Sequence, residues 1–309
     1  MGNTHANEPE GMLTALDHHR ERRRRERTLY VIPFFNNSGS RNTRAGDGYP
    51  LYFDVRTDWG AQRFRYGNRD ASPLDQWPDP DVYIHYPERQ LLSYIDVRNT
   101  NRTWPGRAGG PLMERVTFGA MELMRREKVD VAVDVHGAET MFPVTNCIVA
   151  PEKSVKIATL ASLTVKAMEG FENHVEASPV GLPRAVPPGD RRPRPGPALP
   201  PRGAHPLPRP ADGAQDGRVP PRRQGPVPAQ PVEEEKLFVP YDESGWPLEK
   251  RVGQNLSVTL EILRQFSKKT ADRPIAVRGV PRYADVVKNG VGRYLADPAK
   301  AAPGGVVMN

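Results

Sequence analysis

The stretch GNTHANEPEG, residues 2–11, and the later run VDVAVDVHGAET, residues 129–140, decide how the chain is read. In the first, His5 and Glu8 stand three residues apart, a spacing that can put an imidazole and a carboxylate on one side of a turn. In the second, Val alternates with Asp and Ala up to His136, as in a strand that delivers the histidine from its end. Two His and one Glu form the donor set of a zinc site whose fourth position is open to water. His5, Glu8 and His136 are therefore the expected metal ligands, with one zinc ion as the expected cofactor of a metallohydrolase.

Working outward, Pro9 to about Arg27 reads as a helix, with Met12, Leu13 and Leu16 on its apolar side and Arg22–Arg25 on a solvated face. No buried strand precedes the ligand turn, so the start of the domain is expected to lie upstream. Leu29–Phe34 suits a buried strand, closed by a turn at Asn36–Gly39. Residues 40–95 read as a long loop-rich segment of the kind that builds a site or a lid. A helix follows over about 111–128, with Leu112, Val116, Ala120, Leu123 and Met124 on one stripe. Cys147–Ala150 reads as a strand and 151–171 as a helix through Val155, Ala158, Ala161, Leu163 and Val165. Residues 239–247 read as a turn, and Arg251–Phe266 as a helix with Val252, Leu256, Leu260 and Leu263 on one side. The tail 279–295 adds a short closing element. Strands alternating with helices predict an α/β fold, a mixed or mostly parallel sheet with helices on its faces and ligands at strand ends.

A chain of 309 residues with net charge +7 invites a nucleic-acid reading, but the charge sits in one window. Residues 178–232 hold nine Arg, no Lys, three Asp and 17 of the 34 prolines. Aromatic side chains on which bases could stack are lacking there. That composition predicts a disordered segment, and no nucleic-acid partner is expected. No run of the sequence has the apolar length of a membrane span, so no membrane partner is expected. No leader pattern is visible, and the compartment is open, cytoplasmic by default, since residues upstream could carry a targeting signal. The single cysteine, Cys147, rules out an intrachain disulfide and a Cys-based zinc site.

The segment DVRNTNRTWPG, residues 96–106, completes a set. GNTHANEPEG and VDVHGAE resemble the first and third motifs of the zinc carboxypeptidase superfamily, which also includes the succinylglutamate desuccinylases and aspartoacylases. DVRNTNRTWPG is similar to that family's D-x-N-R-N-F/W-P segment. The order and spacing of the three motifs agree with it. The resemblance implies a three-layer α/β domain, spread over residues 1–177 and 236–309. It implies zinc held by His5, Glu8 and His136, and Asn101 with Arg102 gripping a substrate carboxylate through a planar, two-pronged contact. Arg69 is the candidate for a further substrate arginine. The implied activity is hydrolysis of an amide next to a carboxylate, in a small peptide or an N-acyl amino acid. A non-catalytic remnant of such an enzyme is the alternative.

The sequence departs from the family at two points. Gly137 follows His136 where relatives often carry Glu, and the family's catalytic Glu is not at its expected place. Glu261 is one candidate for it: Leu256, Val258, Leu260 and Ile262 alternate as in a strand that would present Glu261 on its polar face, whereas a helix through Phe266 leaves it on the exposed side. The other account is a shifted reading frame over about 178–235. VPPGDRRP at 186–193, LPPRGAHP at 199–206 and RRQGPVPAQP from 222 can each be encoded so that reading one base later gives SHREIGD, CLLEAPT and GDKDPYLRS. The second of these resembles the family segment that bears the catalytic Glu.

Overall fold

The computed structural model describes residues 1–18, 28–42, 51–137, 146–178, 247–270, 275, 277–297 and 299. The expectations for Arg22–Arg25, for the disordered and frame-shifted window 178–235 (beyond Ser178) and for the turn at 239–247 (before Pro247) lie outside the described residues. Among the described residues, seven helices and several small sheets make a mixed α/β structure. The helices are α1 (Pro9–His18), α2 (Asn37–Arg41), α3 (Pro73–Gln76), α4 (Leu112–Arg126), α5 (Glu152–Glu169), α6 (Leu248–Lys269) and α7 (Tyr283–Asn289). The strands are β1 (Tyr52–Thr57), β2 (Gly60–Arg65), β3 (Tyr83–Ile84), β4 (Leu91–Leu92), β5 (Cys147–Ala150) and β6 (His174–Ala177).

The expected single sheet is not assembled among the described residues. β1 pairs with β2 and β3 with β4, both antiparallel, while β5 pairs with β6 in parallel. Residues 51–95, the larger described part of the expected loop-rich segment, thus hold more regular structure than their composition suggests. Phe53 and Val55 turn one face of the β1–β2 hairpin inward, and Gly60, at φ +120, supplies the backbone conformation its tight turn needs.

A rudimentary parallel ladder positions the ligand turn. The Gly2 amide donates to Ile32 O at 2.9 Å, and the Phe35 and Asn36 amides donate to Gly2 O and Asn3 O at 3.1 Å each. On the other side Val135 N donates to Met1 O at 2.9 Å, and Gly2 bridges Val135 in parallel. Residues 1–3 therefore run between 32–36 and 133–135 in the same direction as both. Neither flank is a full strand: Leu29 and Tyr30 are exposed, against expectation, residues 31–34 are half-buried, and burial begins only at Phe35 and Asn36.

Two apolar clusters hold the parts. Met12 and Leu13 of α1, Phe53 and Val55 of β1, Val252 and Leu256 of α6, Val286 of α7, and Val291 and Leu295 form the larger one. Phe35, Trp104 and Ala120 form the smaller, with Val116 and Met124 of α4 against it. Burying side chains of this kind contributes about 1.5–3 kcal/mol each, so α1 and α6 are fastened directly beneath the ligand turn. On α5 the expected stripe is partly corrected: Ala158, Ala161 and Val165 are buried, but Leu163 remains 59% exposed.

Candidate metal centre

His5 leaves the middle lane of the ladder and His136 leaves the adjacent lane at the same end, so backbone pairing brings them together across 131 positions of sequence. Glu8 closes the group through a turn in which its amide donates to His5 O at 3.1 Å before α1 begins. Close backbone approach seats this turn. A Cβ on Gly11 would stand 2.6 Å from Val135 O, tighter than carbon and oxygen tolerate.

The Glu8 carboxylate lies between the two imidazoles. Its Oε1 is 2.9 Å from His5 Nδ1 and its Oε2 is 3.1 Å from His136 Nδ1, while Gly137 N donates to Oε2 at 2.9 Å. The outer ring nitrogens are held as well. His5 Nε2 is 3.2 Å from Asn99 Oδ1, and His136 Nε2 is 3.0 Å from Asp134 Oδ2. Asp134 is oriented in turn by the Thr4 hydroxyl at 2.7 Å. Ligand atoms of His5, Glu8 and His136 all lie within 4.8 Å of one another, a grouping that could hold a metal ion.

Proton accounting tests that fit. Asn101 N donates to Asn99 Oδ1 at 3.0 Å, which fixes that oxygen as an acceptor and favours the His5 tautomer that carries its hydrogen on Nε2. A neutral His5 then turns the lone pair of Nδ1 toward a carboxylate oxygen 2.9 Å away. Two acceptors in such contact need a cation between or beside them. Ligand atoms around a tetrahedral zinc stand about 3.3 Å apart, close to the 2.9 and 3.1 Å that separate the two Nδ1 atoms from the Glu8 oxygens. The residues fit a metal bound through both Nδ1 atoms, with Asn99 and Asp134 setting the tautomers from outside.

Charge in the centre is uneven. Burial would raise the Glu8 carboxyl, but the hydrogen bond from His136 above all outweighs it and holds it far below the usual carboxylate range. Burial lowers His5, and His136 and Arg69 push the same way against Glu8. For His136 burial is overcome by Asp134 and Glu8, which push it up to about 10. The metal-free centre at neutral pH thus contains a neutral His5, a charged His136 and an ionised Glu8.

The other sequence candidates divide. Gly67 N donates to Ala6 O at 3.2 Å, which lays the following residues over the ligand turn and leaves Arg69 Nη1 3.6 Å from Glu8 Oε1. Asn101 and Arg102 sit on the short 3-10 turn Thr100–Arg102, tied to the same place by Thr100 Oγ1 donating to Thr4 O at 2.7 Å. Burial lowers the Arg102 pKa; Asp96 opposes the shift and the Arg69 charge adds to it. Glu261 is different. The helix reading holds, since α6 runs through it, but Glu261 is fully buried rather than on the exposed side. Its carboxylate accepts from Arg264 at 2.6 and 2.7 Å and from Gln265 at 2.5 Å. Those partners one turn ahead make it a helix-packing residue.

Sequence reasoning missed Asn99 and Asp134. Asp134 was within reach, because residues two apart on a strand share a face. No local pattern marks Asn99. It missed Glu10 too, which is buried and ion-paired with Arg251 of α6 at 2.9 Å. The departure at Gly137 now has a local reason: a Cβ there would overlap Glu10 Oε1. No family model, curated protein or solved structure matches this chain.

Proposed function

We propose that the chain is a zinc-dependent hydrolase of the carboxypeptidase type, acting on an amide bond next to a carboxylate in a small peptide or N-acyl amino acid. The observation that carries the reading is the pair of imidazoles turned Nδ1-inward on Glu8, each held from behind by an oxygen acceptor. A bound zinc supplies a Lewis acid that polarises a carbonyl and acidifies water. His5, Glu8 and His136 hold the ion. Arg102, with the Asn101 amide beside it, docks the substrate carboxylate, and Arg69 adds a second positive charge close to the ligands. Binding at a fixed carboxylate presents the neighbouring amide to the centre in one orientation, which is where most of the rate gain from positioning arises.

Metal analysis of the purified full chain should find one zinc per chain, lost on His136→Ala. Peptides with free C-termini, N-succinyl amino acids and N-acetyl amino acids are then compared as substrates with and without a chelator. Chelator-sensitive turnover of the peptides supports the peptidase, and turnover confined to the acyl amino acids makes it a deacylase. A protein that holds zinc and hydrolyses none of them is a non-catalytic remnant, and one that takes up no zinc ends the reading. No described helix is long and apolar enough to cross a membrane.

A further inference from the structure

Two residues on one face of α6 reach the segment that carries His136. Arg251 donates through Nη1 to Glu10 Oε1 at 2.9 Å, and Asn255 Nδ2 donates to the His136 carbonyl at 3.5 Å. They are four residues apart, so they share a helix face. Glu10 lies buried in the first turn of α1, and its carboxylate fills the space beside Gly137 that a side chain there would need. Gly137 is the residue whose amide holds Glu8 Oε2.

The geometry points to the Glu10–Arg251 pair as a positioning device for the metal centre, fixing the His136–Gly137 segment against Glu8. The inference rests on the metal-site reading. A buried carboxylate keeps its charge and place only when paired. Arg251 provides the pairing from α6, so the ligand segment is gripped between α1 and α6 rather than hanging from a short ladder. Losing either partner lets the Glu10 side chain rotate, and the backbone that carries His136 Nδ1 relaxes with it. Groups that orient ligands from outside typically contribute 10–100-fold in metal affinity. Glu10 acts through Gly137 rather than on an imidazole, which places the effect at about tenfold.

The test measures zinc affinity by competition with a chromophoric chelator, and the visible spectrum of the cobalt-substituted protein. The full-length chain is compared with Glu10→Gln, Arg251→Met, the double variant, and Arg251→Lys. Glu10→Gln keeps side-chain size and the double variant removes both charges of the pair together, so at least one form stays folded if Arg251→Met does not. The expected result is zinc affinity weaker by about tenfold in each single variant, a shifted cobalt spectrum, a double variant no worse than either single one, and recovery with Arg251→Lys. Affinity and spectrum unchanged in Glu10→Gln and in the double variant, while His136→Ala abolishes binding, overturn this inference and leave the metal site standing. A wild-type chain that binds no metal overturns both.

Discussion

Metal uptake should release a single proton, and the structure says which one. His136 is pushed up to about 10 because Asp134 and Glu8 outweigh its burial, so it is charged in the metal-free protein at neutral pH. His5 is lowered by burial and already neutral, and Glu8 is already ionised. Only the His136 proton has to leave before both Nδ1 atoms can donate to a metal. The logarithm of apparent zinc affinity should then rise by about one unit per pH unit well below the His136 pKa, or about 100-fold between pH 6 and pH 8. Chelator competition across that range gives the slope. Calorimetry in buffers of different ionisation enthalpy counts the proton directly. A slope near zero would mean that His136 is neutral before binding, and a slope near two that His5 is protonated as well; either result refutes the charge assignment. The same shift fixes a sign for the metal-free fold. The His136 pKa is raised above its unfolded value of about 6.5, so its stabilisation is fully present below that value and is lost as pH rises through about 10. The melting temperature of the chelated protein should fall across that window.

Further substitutions separate packing from the centre. Glu261→Gln removes the charge opposite Arg264, which is half exposed and screened by solvent, so the expected loss is about 1–2 kcal/mol with zinc affinity unchanged; a clear loss of zinc affinity would return Glu261 to the site. Because the Glu261 carboxyl is held below its ordinary value by Arg264 and Gln265 against burial, the wild-type advantage should be present above about pH 4.3 and vanish as pH falls through the folded pKa. Leu256→Ala, in the cluster joining α1, β1 and α6, should cost about 2–5 kcal/mol in denaturant unfolding. Gly137→Ala should weaken zinc binding, since the new methyl group must displace Glu10; affinity equal to wild type would show that Glu10 does not pack there.

How legible the sequence was depends on the range of the interaction. The helices at 112–126, 152–169 and 248–269 follow from apolar spacing alone, because a helix closes its own hydrogen bonds and needs only one buried stripe. The His5–Glu8 turn is equally local. The ladder was harder to read: Leu29–Phe34 and Val129–His136 have strand composition, yet their pairing depends on residues 1–3 reaching both, and only a few amides are joined. Leu163 shows the converse. It completes an apolar stripe on α5 but stays exposed, as do Val149 of β5 and Met168, because periodicity states which face can be buried and not whether anything covers it. Glu261 was misplaced for a related reason. A carboxylate is assumed to face water, and the Arg264 and Gln265 contacts that let it face inward come from the next turn of the same helix.

A buried His–Glu–His group can also be nothing more than an ion-paired clasp, but the charges weigh against that reading. A clasp without metal needs a proton on both Nδ1 atoms to satisfy the two Glu8 oxygens. His136 readily keeps one. The second would make His5 either an imidazolium, which burial, the charged His136 and Arg69 all oppose, or a neutral ring whose bare Nε2 faces the Asn99 oxygen. Swinging His5 away gives no relief, because Nε2 is committed to an Asn99 oxygen that Asn101 holds in place. A divalent cation meets both lone pairs without a second imidazolium, and it balances the two carboxylates of Glu8 and Asp134. The remaining positive charge around the centre then comes from Arg69 and Arg102, of which Asp96 offsets part. That surplus favours an anion. A carboxylate-bearing substrate should therefore bind more weakly as salt rises, and its methyl ester should lose most of its affinity at any ionic strength.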